Sequence, residues 1–501
     1  MRWLCVCWAA LILGIVPGVA AERLPNVVFI LCDDLGYGDV GCYGQTKIRT
    51  PNVDRLAAEG MRLTAHYSGN NVCAPSRCVL MSGKHPGHAY IRNNKGGIGS
   101  GQEGQEPVPA GELALPLTLK KLGYSIGGFG KWGLGPIGST GDPLNQGFDR
   151  FFGYNCQAVA HNFYPGHLWD NDQRLVLNNP AFAAHQRFPA GADPNDRRNY
   201  ARYSGTQYAP DLIHAEALRF LRQHRERPFF LYYPTTIPHL ALQVPQDSLD
   251  EYLGRFPEQP YLGDRGYLPH LSPRAAYAAM VTRLDRDIGQ LMDLVTQLGL
   301  DEETIFVFTS DNGPLYDRLG GTDAEFFESA GRFRGSKGSM YEGGLRVPGI
   351  VRWRGRLAAG QVSDRVSGFE DWLPTLLELM GRQLDTPQGI DGISFAPTLR
   401  GESQPPRPFL YRESPGYGGQ QAIRVGDWKG VRTNLMPRGK NINPGALQLF
   451  DLTTDPGEAT DVAAANPEVV TRLSQLMNEQ HTPSAVFPIT ALDSKTPAAG
   501  Q

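Results

Sequence analysis

The chain has 501 residues, enough for one large domain and a smaller one with a sizeable core. Its 41% hydrophobic and 20% charged content is that of an ordinary soluble globular protein. A formal charge of -3 excludes a global basic field of the kind that binds nucleic acid, so an anionic ligand has to be captured by local positive groups.

Residues 1–21 read as a secretory signal. Arg2 supplies a positive charge, Leu4 to Val16 a short apolar core, and Val19-Ala20-Ala21 small residues for cleavage. The run is too short for a membrane anchor, and no later segment is cleanly apolar over about 18 residues. We therefore expect a secreted or periplasmic protein with no membrane span. Cleavage removes one arginine and no acid, which moves the charge from -3 to -4. Two of the seven cysteines, Cys5 and Cys7, go with it. Cys73 aside, Cys32, Cys42, Cys78 and Cys156 remain, and export permits any of three pairings.

Asn26 to Leu31 is a nearly continuous apolar run and reads as a strand buried on both faces, as in a central parallel sheet. Thr50-Pro51 opens a helix through Ala58, with Thr50 as N-cap. Leu115 to Leu122 reads as a helix stopped by Gly123. Gly123 to Gly130 reads as a small, flexible segment. Residues 154–210 have weak periodicity and many aromatic and polar residues, and read as an insertion carrying substrate contacts. Residues 211–225 form an amphipathic helix, Pro228 to Tyr233 a buried strand, Arg274 to Leu298 a long helix and Thr304 to Thr309 another apolar strand. This alternation predicts an α/β fold, with a large, mostly parallel central sheet flanked by helices. Near residue 385 the style changes to short strands, such as Gln421 to Val425 and Leu447 to Asp451, and then a helix over Pro467 to Glu479. The expected division is a main domain over 22–385, a smaller C-terminal α+β subdomain over 386–485 and an irregular tail over 486–501.

The chemistry gathers where predicted strands end, which is where ligands bind in open α/β sheets. The first strand ends in Cys32-Asp33-Asp34, adjacent carboxylates that repel unless a cation lies between them. The strand at 305–309 ends in Ser310-Asp311-Asn312-Gly313, a further carboxylate and a neutral amide oxygen. Singly these are ordinary turn residues. Together Asp33, Asp34, Asp311 and Asn312 make an all-oxygen set that suits a hard cation such as calcium or magnesium. Lys131 follows the glycine-rich segment, Lys337 lies in Arg334-Gly335-Ser336-Lys337-Gly338, and Arg77 follows Cys73. Three such cations read as a clamp for a tetrahedral oxyanion. His239, just after a predicted strand, is placed to protonate a leaving oxygen. His88 and Arg92 follow the Cys73 segment, and His161 and Asn162 lie in the aromatic insert. These four are candidate substrate contacts. Aromatic faces with amide and imidazole groups suit a sugar, although the same aromatics serve equally to pack the insert on the core.

Cys73-Ala74-Pro75-Ser76-Arg77, followed by Leu80-Met81-Ser82-Gly83, matches the pattern read by maturation enzymes in type I sulfatases. Asp33-Asp34, Gly130-Lys131-Trp132, Pro238-His239, Asp311-Asn312-Gly313, and Lys337 with Glu342-Gly343-Gly344 agree in order. From about Pro25 to Val469 the chain resembles the formylglycine-dependent, arylsulfatase-like sulfatases of the alkaline phosphatase superfamily. The resemblance implies an alkaline phosphatase-like fold and sulfuric ester hydrolysis. It implies that a maturation enzyme oxidises Cys73 to formylglycine, whose gem-diol is the nucleophile and whose oxygen also binds the metal. Asp33, Asp34, Asp311 and Asn312 would hold one calcium ion. Arg77 and Lys131 would steady the formylglycine, Lys131 and Lys337 bind sulfate oxygens, and His239 protonate the leaving alcohol. The sulfated enzyme would then expel sulfate and regenerate the aldehyde.

The expected substrate is a sulfated glycan or small sulfate ester, with export and the aromatic insert favouring a carbohydrate. Phosphoester or phosphonate hydrolysis, and non-catalytic glycan binding, are the alternatives. One departure stands out. Many relatives read Lys-Trp-His-Leu-Gly where this chain has Lys131-Trp132-Gly133-Leu134-Gly135, so the base for the last step has to come from His85, His88, His161, Lys131 or water.

Overall fold

The computed structural model describes residues 23–96, 103, 105–316, 318–437 and 443–493; the signal read over 1–21 lies outside them. Apolar runs buried on both faces build the centre of the molecule. The strands in chain order are β1 (Asn26–Cys32), β2 (Met61–Leu63), β3 (His66–Tyr67), β4 (Ser125–Lys131), β5 (Arg150–Tyr154), β6 (His167–Asp170), β7 (Gln173–Val176), β8 (Phe229–Pro234), β9 (Thr304–Ser310), β10 (Gly349–Trp353), β11 (Gln361–Ser363) and β12 (Ser367–Gly368). Ten of them form one sheet in the order β11-β2-β10-β9-β1-β8-β4-β5-β6-β7. The central five, β9-β1-β8-β4-β5, are parallel. Antiparallel β10 on one side and the β6–β7 hairpin on the other make the whole sheet mixed. The insert thus extends the sheet edge as well as covering it. A separate pair, β3 and β12, lies alongside.

Side chains of a strand alternate between faces, and β1 shows what this does. Val28 and Ile30 pack into one core with the helices α4 (Ala209–Gln223) and Pro273–Gln297. Val27, Phe29 and Leu31 pack into the other, with α2 (Cys73–Ser82), α3 (Ala114–Lys121) and Trp372. Helix α1 (Pro51–Ala58) begins where Thr50-Pro51 predicts, but Thr50 accepts from Gly41 N–H at 2.8 Å instead of capping its own helix.

The glycine-rich run before Lys131 is not a flexible loop. It is β4, buried at every position. A Cβ on Gly127 would lie 2.6 Å from the ring of Phe129 and 2.8 Å from that of Phe220, so glycine here serves close packing and not mobility.

A second, antiparallel sheet follows: β13 (Leu410–Ser414), β14 (Gln420–Val425), β15 (Trp428–Arg432) and β16 (Gln448–Asp451). One face packs on the helix Pro467–Gln480 through Leu473 and Met477, and the other on Tyr67, Met340 and Leu345. Phe395 and Leu399 still belong to the main core, so packing changes hands between Leu399 and Leu410 and not at 385. The tail expected to be irregular carries a turn of helix at Thr490–Asp493, with Ile489 and Leu492 buried against Leu435. Cys32, Cys42, Cys73, Cys78 and Cys156 are all unpaired, so none of the three pairings forms. Among the described residues no helix is long and apolar enough to cross a membrane.

Candidate active site

Because β1 lies between β8 and β9, the segments leaving these strands arrive side by side. Asp33 N–H donates to Ile237 O at 3.2 Å and Asp311 N–H to Cys32 O at 3.0 Å. Lys131, the last residue of β4, comes in from the neighbouring strand. Helix α2 starts at Cys73 behind an extended Val72, so the positive end of its dipole faces the same point. One turn along α2 stands Arg77. The Lys337 loop is pinned by Lys337 N–H to Pro314 O and Gly338 N–H to Asn71 O, both at 2.8 Å.

The side chains close around Cys73, which is 1% exposed. Its Sγ lies 3.4 Å from Asp33 Oδ1 and 3.4 Å from Lys337 Nζ. Lys131 Nζ donates to Asp33 Oδ2 at 2.7 Å, and Lys337 Nζ to Asp34 Oδ2 at 2.9 Å. Arg77 forks over Asp311 Oδ2, from Nε at 3.1 Å and Nη2 at 2.8 Å, and donates from Nη1 to Lys131 O at 2.6 Å. His239 donates from Nδ1 to Leu240 O at 2.7 Å, which leaves Nε2 bare, 3.5 Å from Asp34 Oδ2.

These groups tune one another. Burial opposes charge on Asp33, yet Lys131 and Arg77 hold it well below the usual carboxylate range. Burial and the charge of Asp33 push Asp311 up to about 7. Burial would discharge Lys131 and Lys337, but Asp33 and Asp34 respectively keep them protonated. Burial and Lys337 depress His239 well below the ordinary imidazole value, so it rests neutral. Burial, then Asp33, pushes the Cys73 thiol up to about 12. A thiol so placed is protonated at neutral pH and is a poor nucleophile.

The donor set fits a hard cation. Asp33, Asp34, Cys73 and His239 offer ligand atoms within 4.8 Å of one another. Asn312 donates from Nδ2 to Asp34 Oδ1 at 2.7 Å, while its buried Oδ1 has no hydrogen-bond partner. A buried orphaned oxygen beside three crowded carboxylates is what an oxygen-ligated ion satisfies. Arg77 holds Asp311 by two hydrogen bonds and lies 3.6 Å from Asp33 Oδ2.

Of the four candidate substrate contacts, only His161 reaches this cluster. Its ring stacks on His239 at 4.9 Å and 13°. Arg92 is buried in ties to Glu413, Thr482, Gly87 and Ala89. His88 is held by Asp391 at 2.9 Å and stacks on His85. Both belong to the junction with the second sheet, as does His85, whose Nε2 lies 3.2 Å from Gln480 Oε1. That position removes His85 and His88 as stand-ins for the missing histidine. Asn162 accepts from Tyr164 N–H at 2.9 Å and shapes its own turn. At Gly133 φ is +86°, and a Cβ would lie 2.9 Å from Gln157 Cγ; Gln157 fills that flank and donates to Gln105 Oε1 at 2.7 Å.

Sequence reasoning missed Tyr267, His185 and Tyr417. Tyr267 packs its ring 5.3 Å from His161 and 5.9 Å from His239. Tyr417, on the β13–β14 turn and 55% exposed, is the side chain a Cβ on Gly338 would strike, which places it beside Lys337. None carries a local motif; an aromatic or histidine in a loop is the only signal.

The family model described as Sulfatase matches residues 25–382, and one described as N-sulphoglucosamine sulphohydrolase, C-terminal, matches 333–482. Arylsulfatase A of Homo sapiens is 34% identical over 513 residues, covering 93% of this chain and 90% of its own. N-acetylgalactosamine-6-sulfatase of Rattus norvegicus is 32% identical over 431 residues, covering 82% and 71%. The crystal structure of Ps i-CgsB superposes with a TM-score of 0.72 at 25% identity, covering 91% of this chain and 92% of that one; in complex with k-i-k-neocarrahexaose the TM-score is 0.69.

Proposed function

The chain belongs to the sulfatase family, hydrolases of sulfate esters, and on that premise we propose that it removes sulfate from a sulfated carbohydrate outside the cytoplasm, with Cys73 converted to formylglycine and one calcium ion bound. The observation that carries this reading is the convergence of three buried carboxylates, two buried cations (Arg77 and Lys131) and the half-buried Lys337 on a cysteine whose own thiol is inert. With Asp33, Asp34 and Asp311 set against Arg77, Lys131 and Lys337, and His239 neutral, the formal side-chain charges cancel. When bound, calcium on Asp33, Asp34, Asp311 and Asn312 would add a divalent charge to attract the sulfate, and formylglycine would supply an oxygen nucleophile.

The chain's own residues do the rest. Lys131 and Lys337 bracket residue 73, fully charged, and clamp the sulfate oxygens. Arg77, tied to Asp311 and to Lys131 O, orients the cluster. His239 anchors Nδ1 on Leu240 O and rests neutral, so Nε2 is the atom that draws a proton from water and passes it to the leaving alcohol. Tyr417, exposed beside Lys337, offers an apolar face to a pyranose ring. The names of the N-acetylgalactosamine-6-sulfatase and of the neocarrahexaose complex support a carbohydrate substrate.

The test is inorganic sulfate released from a panel of galactose-, N-acetylgalactosamine- and glucosamine-based sulfates, an aryl sulfate and a phosphate ester, after expression with a maturation enzyme. Glycan sulfate release that disappears in Cys73→Ala is expected. Release of phosphate alone would move the chain to phosphoester hydrolysis.

A further inference from the structure

Three imidazoles stand in a row from the surface to the reacting centre, and the roles above use only the innermost. His185 is exposed, His161 half-buried and His239 buried. Backbone geometry decides where their protons sit. Tyr267 N–H donates to His185 Nδ1 at 3.0 Å. A peptide N–H is never an acceptor, so His185 Nδ1 is bare and the proton of the neutral ring sits on Nε2. That Nε2 lies 3.4 Å from His161 Nδ1, at the long end of hydrogen-bond range. His161 Nδ1 therefore accepts, and its own proton sits on Nε2. The opposite holds next door, because His239 donates from Nδ1 to Leu240 O and keeps Nε2 bare. Two stacked rings, 4.9 Å apart, thus carry complementary protons.

Position adds to this. Ala241 N–H donates to His161 O at 3.2 Å, which fixes the insert to the segment carrying His239. His161 Nε2 has no hydrogen-bond partner among the described residues.

We propose that His161 is a fixed, neutral hydrogen-bond donor, through Nε2, to an oxygen of the sulfate group bound beside Lys131 and Lys337, and that His185 is the positioning residue that sets its tautomer. The proposal rests on the sulfatase reading above. The same tautomer excludes resting His161 as the base of the final step through Nε2, because that nitrogen already holds a proton. A Tyr267 backbone amide, acting through two rings, thereby decides which way a histidine addresses the anion.

The experiment is two-bond proton–nitrogen correlation on the full-length, calcium-loaded protein labelled with 15N-histidine, titrated with inorganic sulfate. The expected result is a bare Nδ1 and protonated Nε2 on His161, with the Nε2 resonance moving as sulfate binds. His161→Leu should weaken sulfate roughly tenfold, the scale of one hydrogen bond to a charged group, and His161→Gln, which keeps an N–H donor, should recover most of it. His185→Phe, a change in an exposed loop, should mix the two tautomers of His161 and weaken sulfate less than His161→Leu does. A protonated Nδ1 on His161 in the parent protein, or sulfate bound as tightly by His161→Leu, overturns the proposal. Failure of the sulfatase reading is separate: it appears as no sulfate release from any ester by the parent protein, whatever the histidine spectrum.

Discussion

At the residue scale, the active cluster shows how far burial can change a side chain's chemistry. Cys73 is a thiol pushed up to about 12, so the residue that names the motif is inert as translated. Gly133 shows the opposite case, a residue choice dictated by backbone geometry. At φ +86° a side chain is strained, and Gln157 already occupies the flank where one would point. Restoring the relatives' residue by Gly133→His should therefore destabilise the fold by about 1–3 kcal/mol and not raise turnover. Chemical denaturation of the variant checks this, and an unchanged midpoint with faster sulfate release would refute it. Only the missing histidine was visible in the sequence. The glutamine that fills that flank, 24 residues on in the chain, was not, because nothing local links Gly133 to Gln157.

At the element scale, strands buried on both faces were legible to within a residue or two. Uninterrupted apolar runs such as Val27 to Leu31 have few other places to go. The glycine-rich β4 was not, because its packing against Phe148 and Phe220 comes from elements distant in the chain. The contacts of the C-terminal segment were not legible either, for a similar reason. It docks through His481, whose Nδ1 lies 2.8 Å from Glu413 Oε2 and Nε2 3.0 Å from Asp493 Oδ1. Arg92 and Tyr411 face the same carboxylate. Burial disfavours the charged ring, but Glu413 and Asp493 outweigh it and raise its pKa above 6.5. A raised histidine contributes stability that is complete below 6.5 and lost as pH rises through the folded value. Stability measured by urea should therefore fall above that pH, and His481→Gln should flatten the fall. Identical slopes for the two proteins would sink the assignment.

At the scale of the whole molecule, the two sheets are joined by buried ion pairs. Lys429 of β15 meets Glu342 at 2.8 Å, and Arg412 of β13 meets Glu370 at 2.9 Å. Burial opposes ionisation of both glutamates. Lys429 and Arg346 nevertheless hold Glu342 at about 2, and Arg412 and Arg407 hold Glu370 at about 2. A depressed carboxylate contributes stability that is complete above its unfolded value of 4.5 and lost as pH falls through about 2. Each pair is linked to roughly 3 kcal/mol over that window. The expected outcome is a steep loss of stability between pH 4.5 and 2, shallower in Glu370→Gln. That variant should also lose about 3–5 kcal/mol at neutral pH, because Arg412 is left with an uncompensated buried charge, while Arg407 keeps Asp371. An acid profile that the substitution leaves unchanged would show that the junction is held by its apolar contacts alone.

The sequence by itself determined the α/β class, the strand ends that carry Asp33, Asp34, Asp311 and Asn312, and the membership of Cys73, Arg77, Lys131, His239 and Lys337 in one site. Those readings depend on short-range information: apolar runs, residue types at strand ends and motif order. Only the tertiary structure decided which histidines reach the site. His88 and Arg92 follow Cys73 closely in sequence, yet they bind Asp391 and Glu413, 303 and 321 residues away. His161, 88 positions beyond Cys73, comes to lie on His239 and takes its tautomer from Tyr267. Side chains are directed by whatever the packed core brings next to them, and no local pattern encodes that.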